Sequence, residues 1–143
     1  MGEERILVVG ATNRPQDLDE AARRRLVKRL YVPLPDECAR KQIIENLLRG
    51  QGQHCLTNDE MLTIANETNG YSGADMAELC KESAMGPIRS LDYSQIESIG
   101  AEKVRDITIQ DFFDALKNVK ASVSDEDIAM YLEWRQLYRV MTR

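Results

Sequence analysis

One histidine, His54, and three widely spaced cysteines, Cys38, Cys55 and Cys80, are all the imidazole and thiol chemistry in 143 residues. A tetrahedral zinc site would have to recruit all four, and apart from the adjacent His54 and Cys55 they are too widely spaced for paired metal-ligand motifs, so none is expected. The odd cysteine count, within apolar helical patterns, excludes a disulfide framework and points to reduced core thiols of an intracellular protein. No Ser/His/Asp arrangement and no Gly-x-x-x-x-Gly-Lys-Ser/Thr phosphate loop occurs, so the sequence shows no catalytic centre of its own. The longest apolar run, Ile6 to Ala11, falls far short of the roughly 20 residues that a membrane span requires. The acidic start Met1-Gly2-Glu3-Glu4 does not read as a signal peptide. Ile6 also occupies the position where an N-myristoylation motif carries Ser or Thr.

What is present suits one soluble domain, with 43% apolar and 30% charged residues. The net charge of −5 argues against a general nucleic-acid binder, and no clear nucleic-acid motif is found. Within that acidic chain, Arg23-Arg24-Arg25-Leu26-Val27-Lys28-Arg29 gathers five positive charges in seven residues, leaving the remainder at −10. Such segregation calls for a specific role.

Two kinds of periodicity divide the chain. Ile6-Leu7-Val8-Val9 is continuously apolar and β-branched, as in a strand buried on both faces of a parallel sheet. Leu18 to Ala22 reads as a short helix, and Leu30-Tyr31-Val32 as a second strand stopped by Pro33 and Pro35. Two such strands cannot close a sheet, so residues 1–35 read as the tail end of an α/β domain whose earlier strands lie elsewhere. From Asp36 the pattern is helical. Asp36 caps a helix with the stripe Ala39, Ile43, Ile44, Leu47 and Leu48, stopped by Gly50 and Gly52. Thr57-Asn58-Asp59-Glu60 opens a second with Met61, Leu62 and Ala65 inward and Gly70 at its end. Ser72-Gly73-Ala74-Asp75 opens a third with Met76, Leu79, Cys80 and Ala84 inward, bent or ended by Pro87. After a less regular stretch around Tyr93, Ile96 and Ile99, Thr108 starts a helix carrying Phe112, Leu116 and Val119. Ser124 starts the last, with Ile128, Tyr131, Trp134 and Tyr138 on one stripe. The result is an α/β fragment: strands over 1–35, a helical bundle over 36–120 and a C-terminal helix over 121–143.

Three places carry candidate chemistry, each with a plainer alternative. Asn13, just past the first strand, could orient a water against a phosphate, or merely cap the turn before Pro15. Arg24 and Arg25 could offer planar guanidinium groups to a phosphate on another subunit, or be solvated surface charge. Gly73 and Ala74 place small residues and free N–H groups in a helix's first turn, able to meet an anion or base edge, or simply well capped. The Trp134, Tyr131 and Tyr138 stripe reads as helix packing rather than a binding cage.

Taken together, Gly10-Ala11-Thr12-Asn13-Arg14-Pro15, Leu18-Asp19-Glu20-Ala21-Ala22-Arg23-Arg24-Arg25 and Gly70-Tyr71-Ser72-Gly73-Ala74-Asp75 resemble the C-terminal portion of an AAA ATPase. Lys28 to Pro35, Gly86-Pro87-Ile88-Arg89-Ser90-Leu91 and the Trp-bearing final helix narrow the resemblance to the branch of fidgetin, spastin, katanin and the vacuolar-sorting ATPase, nearest its fidgetin-like members. The resemblance implies that residues 1–35 end the large ATPase subdomain and that residues 36–120 form the helical lid. It implies sensor 1 at Asn13, arginine fingers acting on a neighbouring subunit's ATP at Arg24 and Arg25, and adenosine contact at Gly73 and Ala74. It further implies ATP and magnesium as cofactors of the full-length protein, with neither bound well by this chain alone. The whole would be a homo-hexamer assembled through the arginine-finger face, hydrolysing ATP to remodel a protein substrate, with tubulin and microtubule severing as candidates, in the cytoplasm, the nucleus or both. The phosphate loop, the acidic magnesium motif and the pore loops that the family carries are absent from this sequence. A truncated regulatory or adaptor module, or a basic-patch binder of acidic tails, is the alternative.

Overall fold

The computed structural model describes residues 6–51, 54–91, 104–138 and 141–142. They form two compact units: residues 33–125, and residues 1–32 together with 126–143.

In the 33–125 unit the helices start where the sequence offers caps. The Asp36 carboxylate accepts the Ala39 N–H at 2.8 Å and opens α2 (Glu37–Gln51). Thr57 and Glu60 bond reciprocally at the start of α3 (Asn58–Glu67), as do Ser72 and Asp75 at the start of α4 (Gly73–Ala84). Each box satisfies N–H groups that the first helical turn leaves unpaired. Gly70, at φ +82°, turns the chain between α3 and α4 in the left-handed region. Pro87 sits in the first turn of the short α5 (Gly86–Arg89), where its missing N–H costs nothing. α6 (Ile109–Asn118) follows Thr108, whose N–H donates to Asp111 at 2.9 Å.

α2 packs against α3 and α4, and α4 against α6. The core between them contains Ile44 and Leu48, Met61 and Ile64, Met76, Leu79 and Cys80, and Phe112 and Ala115. Three expectations need correction. Ile64, not Leu62, faces the core of α3: Met61, Ile64, Ala65 and Thr68 follow the i, i+3, i+4, i+7 stripe, and Leu62 falls about 100° off it, exposed. Only Cys80 is a core thiol, and burial pushes it up to about 12; Cys38 lies off the α2 stripe and Cys55 at an edge, both exposed. Gly50 does not stop α2, which runs one residue past it. The stretch around Tyr93, Ile96 and Ile99, and Gly52, lie outside the described residues.

Polar contacts tie this core to its connectors. The Arg105 guanidinium grips Asp111 with two 2.7 Å bonds, and Tyr71 donates to the Val119 carbonyl at 2.6 Å. His54 and Ile107 form a single parallel bridge, beside which the Cys55 N–H donates to the Ile107 carbonyl at 3.1 Å.

The second unit has a 3-10 turn (Pro15–Asp17), α1 (Glu20–Arg25), β1 (Leu30–Tyr31), α7 (Asp125–Leu137) and β2 (Met141–Thr142). The expected strand at Ile6–Val9 is not formed. Those four residues are 73–86% exposed. A strand of that composition needs a neighbour on each side, and none pairs with it among the described residues. β1 does find a partner that the periodicity did not suggest: β2 runs parallel to it, Leu30 opposite Met141 and Tyr31 opposite Thr142.

Candidate functional site

Asn13, Arg24 and Arg25 all belong to the unit built from the two chain ends, whereas Gly73 and Ala74 belong to the helical unit. Around Asn13 the turn-capping role falls to its neighbour: the Thr12 hydroxyl accepts the Arg14 N–H at 3.0 Å. The Asn13 carbonyl accepts the Tyr131 hydroxyl at 2.8 Å. Its exposed side-chain amide makes no hydrogen bond among the described residues. The main chain of Asn13 is thus fastened while its amide stays available.

The arginine run is helical at its start, α1 extending three residues past the Ala22 limit that the sequence suggested. Asp19 caps α1 by accepting the Ala22 N–H at 2.6 Å, and Arg23, Arg24 and Arg25 form its last turn, where cations suit the helix C-terminus. Arg24 pairs with Glu20 one turn earlier, both side chains largely exposed. Arg25 is exposed without an ion pair among the described residues. Arg23 and Arg29 are half-buried against Tyr138, with the two guanidinium carbons 5.5 and 5.7 Å from its ring centroid. Glu20, Arg23, Arg24, Arg29 and Tyr138 line a shallow cleft of about 330 Å³. Three guanidinium groups against one carboxylate make it anion-seeking.

At the start of α4 the capping is done by Ser72 and Asp75. The Asp75 carboxylate accepts the Ser72 N–H at 2.8 Å and the Ser122 N–H at 3.2 Å. Burial works against its ionisation, but the hydrogen bonds from Ser72 and Ser122 outweigh it and hold the carboxyl below the usual carboxylate range. Gly73 and Ala74 remain exposed, their N–H groups without partners among the described residues, and a Cβ on Gly73 would meet nothing within 4 Å. The first turn is open to a ligand's approach.

Residues 58–99 match the AAA+ lid domain, and residues 90–138 the Vps4 C terminal oligomerisation domain. The chain is 52% identical over 136 residues to fidgetin-like protein 1 of Rattus norvegicus, covering 95% of this chain and 20% of that protein. It is 46% identical over 137 residues to spastin of Danio rerio, covering 96% of this chain and 24% of that protein. Among solved structures, the FIGL-1 AAA domain in complex with ADP superposes with a TM-score of 0.88 at 48% identity, covering 92% of this chain and 44% of that one. Over nearly its whole length the chain is similar to the C-terminal AAA region of these relatives. It spans about a fifth of the length of the curated relatives it matches, and its fold is that of a C-terminal AAA region with its helical lid.

Within this region, sequence reasoning missed the tyrosines. Tyr131 and Tyr138 were assigned to packing by their spacing, and each also places a hydroxyl on a candidate site segment. Their i, i+3, i+7 relation with Trp134 was visible; their partners, more than 100 residues away, were not. No group of three or more His, Cys, Asp or Glu side chains converges among the described residues; magnesium at a nucleotide is usually held by one or two carboxylates with waters and the phosphates themselves. No described helix is long and apolar enough to cross a membrane.

Proposed function

We propose that this chain provides the trans-acting charge, the sensor amide and the lid contacts of an oligomeric ATPase that remodels proteins. The observation that carries the reading is the division of the basic run: Arg23 and Arg29 are held against Tyr138, whereas Arg24 and Arg25 are exposed in the last turn of α1. Exposed, adjacent guanidinium groups on a short fixed helix suit a phosphate presented by a neighbouring subunit, in an assembly that the oligomerisation domain supports.

In phosphoryl transfer the charge spreads over the transferred group's outer oxygens, so positioned cations act on the transition state more than on bound ATP. Arg24 and Arg25 take that role. The free Asn13 amide orients the attacking water. The open N–H groups at Gly73 and Ala74 meet the adenosine. A hexamer working on a protein substrate, tubulin included, within the cytoplasm or nucleus, extends the same reading.

The test uses the intact ATPase that carries this chain. Arg24→Ala and Arg25→Ala should each lower kcat on the order of 10³-fold with little change in ATP affinity, while Lys28→Ala costs much less. Mixing either variant with subunits disabled in their phosphate loop should restore partial activity, because some interfaces then pair an intact pocket with an intact arginine. Equal losses at Arg24, Arg25 and Lys28, without rescue, would make the run a general basic surface and favour an adaptor or acidic-tail binder.

A further inference from the structure

α1 has six residues, too few for a helix to persist unaided in water. Its local supports are slight: the Asp19 cap and the exposed Glu20–Arg24 pair. Its tertiary support converges on one ring. Arg23 Nη1 donates to the Tyr138 hydroxyl at 3.0 Å, and both Arg23 and Arg29 lie against the ring. Arg29 Nη2 also donates to the Arg23 carbonyl at 2.5 Å, covering an acceptor that the end of the helix leaves unpaired. Two like charges at one side chain would separate unless the ring quadrupole and the hydroxyl held them. Trp134 backs the same ring at 5.1 Å between centroids.

We infer that Tyr138 is a positioning residue for the Arg24–Arg25 pair: by holding Arg23 directly and the Arg23 carbonyl through Arg29, it sets the orientation in which α1 presents its two exposed guanidinium groups. The inference rests on the reading of those two arginines as acting on a neighbouring subunit's phosphate. Tyr138 acts through Arg23 and Arg29 rather than on the nucleotide. Small displacements matter here, since misplacing a catalytic group by about 1 Å can cost on the order of 100-fold in rate. Tyr138, one residue past the end of α7, thereby tunes the groups that an assembled neighbour receives.

The experiment compares Tyr138→Ala, Tyr138→Phe, Arg23→Ala and the Tyr138→Ala/Arg23→Ala double variant in the intact ATPase. kcat, KM for ATP and the assembly state, by sedimentation, are read for each. Tyr138→Ala should lower kcat about 10-fold or more with KM and assembly unchanged, and Tyr138→Phe, which keeps the ring and loses the hydroxyl, should lower it by a smaller factor. The double variant should be no worse than the poorer single one, because both remove the same grip. Activity should return in part when Tyr138→Ala subunits are mixed with phosphate-loop-disabled ones. Wild-type turnover in both Tyr138 variants, additive losses in the double variant, or loss of assembly in Tyr138→Phe would each overturn the inference. Arg24→Ala separates the two levels. If it abolishes turnover in trans while the Tyr138 variants do not, only the positioning role fails. If it is silent, the finger reading fails with it.

Discussion

The hydroxyl of Tyr131, on the C-terminal helix, donates a 2.8 Å hydrogen bond to the backbone carbonyl of Asn13, 118 residues earlier in the chain. The bond fixes the main chain of the residue whose side-chain amide is left free. Tyr131→Phe keeps the ring and removes the donor, at a cost of about 1 kcal/mol in local stability. Amide exchange should accelerate at Thr12 and Asn13 and stay unchanged across α3. Equal acceleration in both places would mean that the hydroxyl supports the chain generally rather than this turn.

Asp111 is the electrostatic hinge of the helical unit. It is 6% exposed and accepts two bonds from Arg105 and two from Thr108. The Arg105 hydrogen bonds, against the opposing effect of burial and with help from Thr108, hold its carboxyl below the usual range. A group depressed in the folded state contributes stability above its unfolded value, near pH 4, and loses it as pH falls through the folded one. Asp111→Asn should therefore destabilise the unit by about 2 kcal/mol at neutral pH. The gap from the unmodified chain should close as urea denaturation is repeated at pH values below 4. A gap independent of pH would show that packing, not charge, accounts for the loss. Gly86→Ala probes the same spot sterically, since a Cβ there would overlap the Asp111 carboxylate.

The helical unit was largely legible because its determinants are local. Caps at Asp36, Thr57, Ser72 and Thr108 lie within three residues of the groups they satisfy, and the stripes follow the helical period. Leu62 was misplaced because an apolar residue one step off the stripe looks, in sequence, like a member of it. The chain-end unit was less legible because its contacts are distant: β1 with β2, Tyr131 with Asn13, and Tyr138 with Arg23 each join residues more than 100 apart. The candidate site residues were found by resemblance, and their spacing alone left the plainer readings open. Thr12 in place of Asn13 as the turn cap is a detail that only atomic positions supply.

Arg40 is 5% exposed, yet its partners are carbonyls rather than carboxylates. Nε and Nη2 donate to Ala65 at 3.1 and 2.9 Å, and Nη1 donates to Pro35 at 2.8 Å. The guanidinium closes the C-terminal end of α3, where positive charge is favoured, and anchors the proline-bounded segment ahead of α2. A lysine brings one compact ammonium and cannot span both carbonyls with that fork. Arg40→Lys should lower stability by about 2 kcal/mol, and Arg40→Met by as much or more, because two buried acceptors lose their donor. Denaturation midpoints that leave Arg40→Lys level with the unmodified chain would show that charge alone suffices there.

Hydrogen exchange on the isolated chain should rank the segments by the neighbours each one finds. Ile43 onward in α2, and the core stretches of α3, α4 and α6, surround Ile44, Leu48, Ile64, Met76, Leu79 and Phe112, all fully buried. Opening any of these helices exposes apolar surface at roughly 25 cal/mol per Å², so their amides should exchange only through a costly, cooperative event. Ile6 to Val9 have the composition of an interior strand but no strand partner among the described residues, and should exchange at nearly the rate of an unstructured peptide. β1 should fall between, since two residues of parallel pairing hold it. Adding the rest of the ATPase sheet should protect Ile6 to Val9 and leave the helices almost unchanged. Slow exchange at Ile6 to Val9 in the isolated chain, with fast exchange from Ile43 onward, would invert the assignment of stability to the two units.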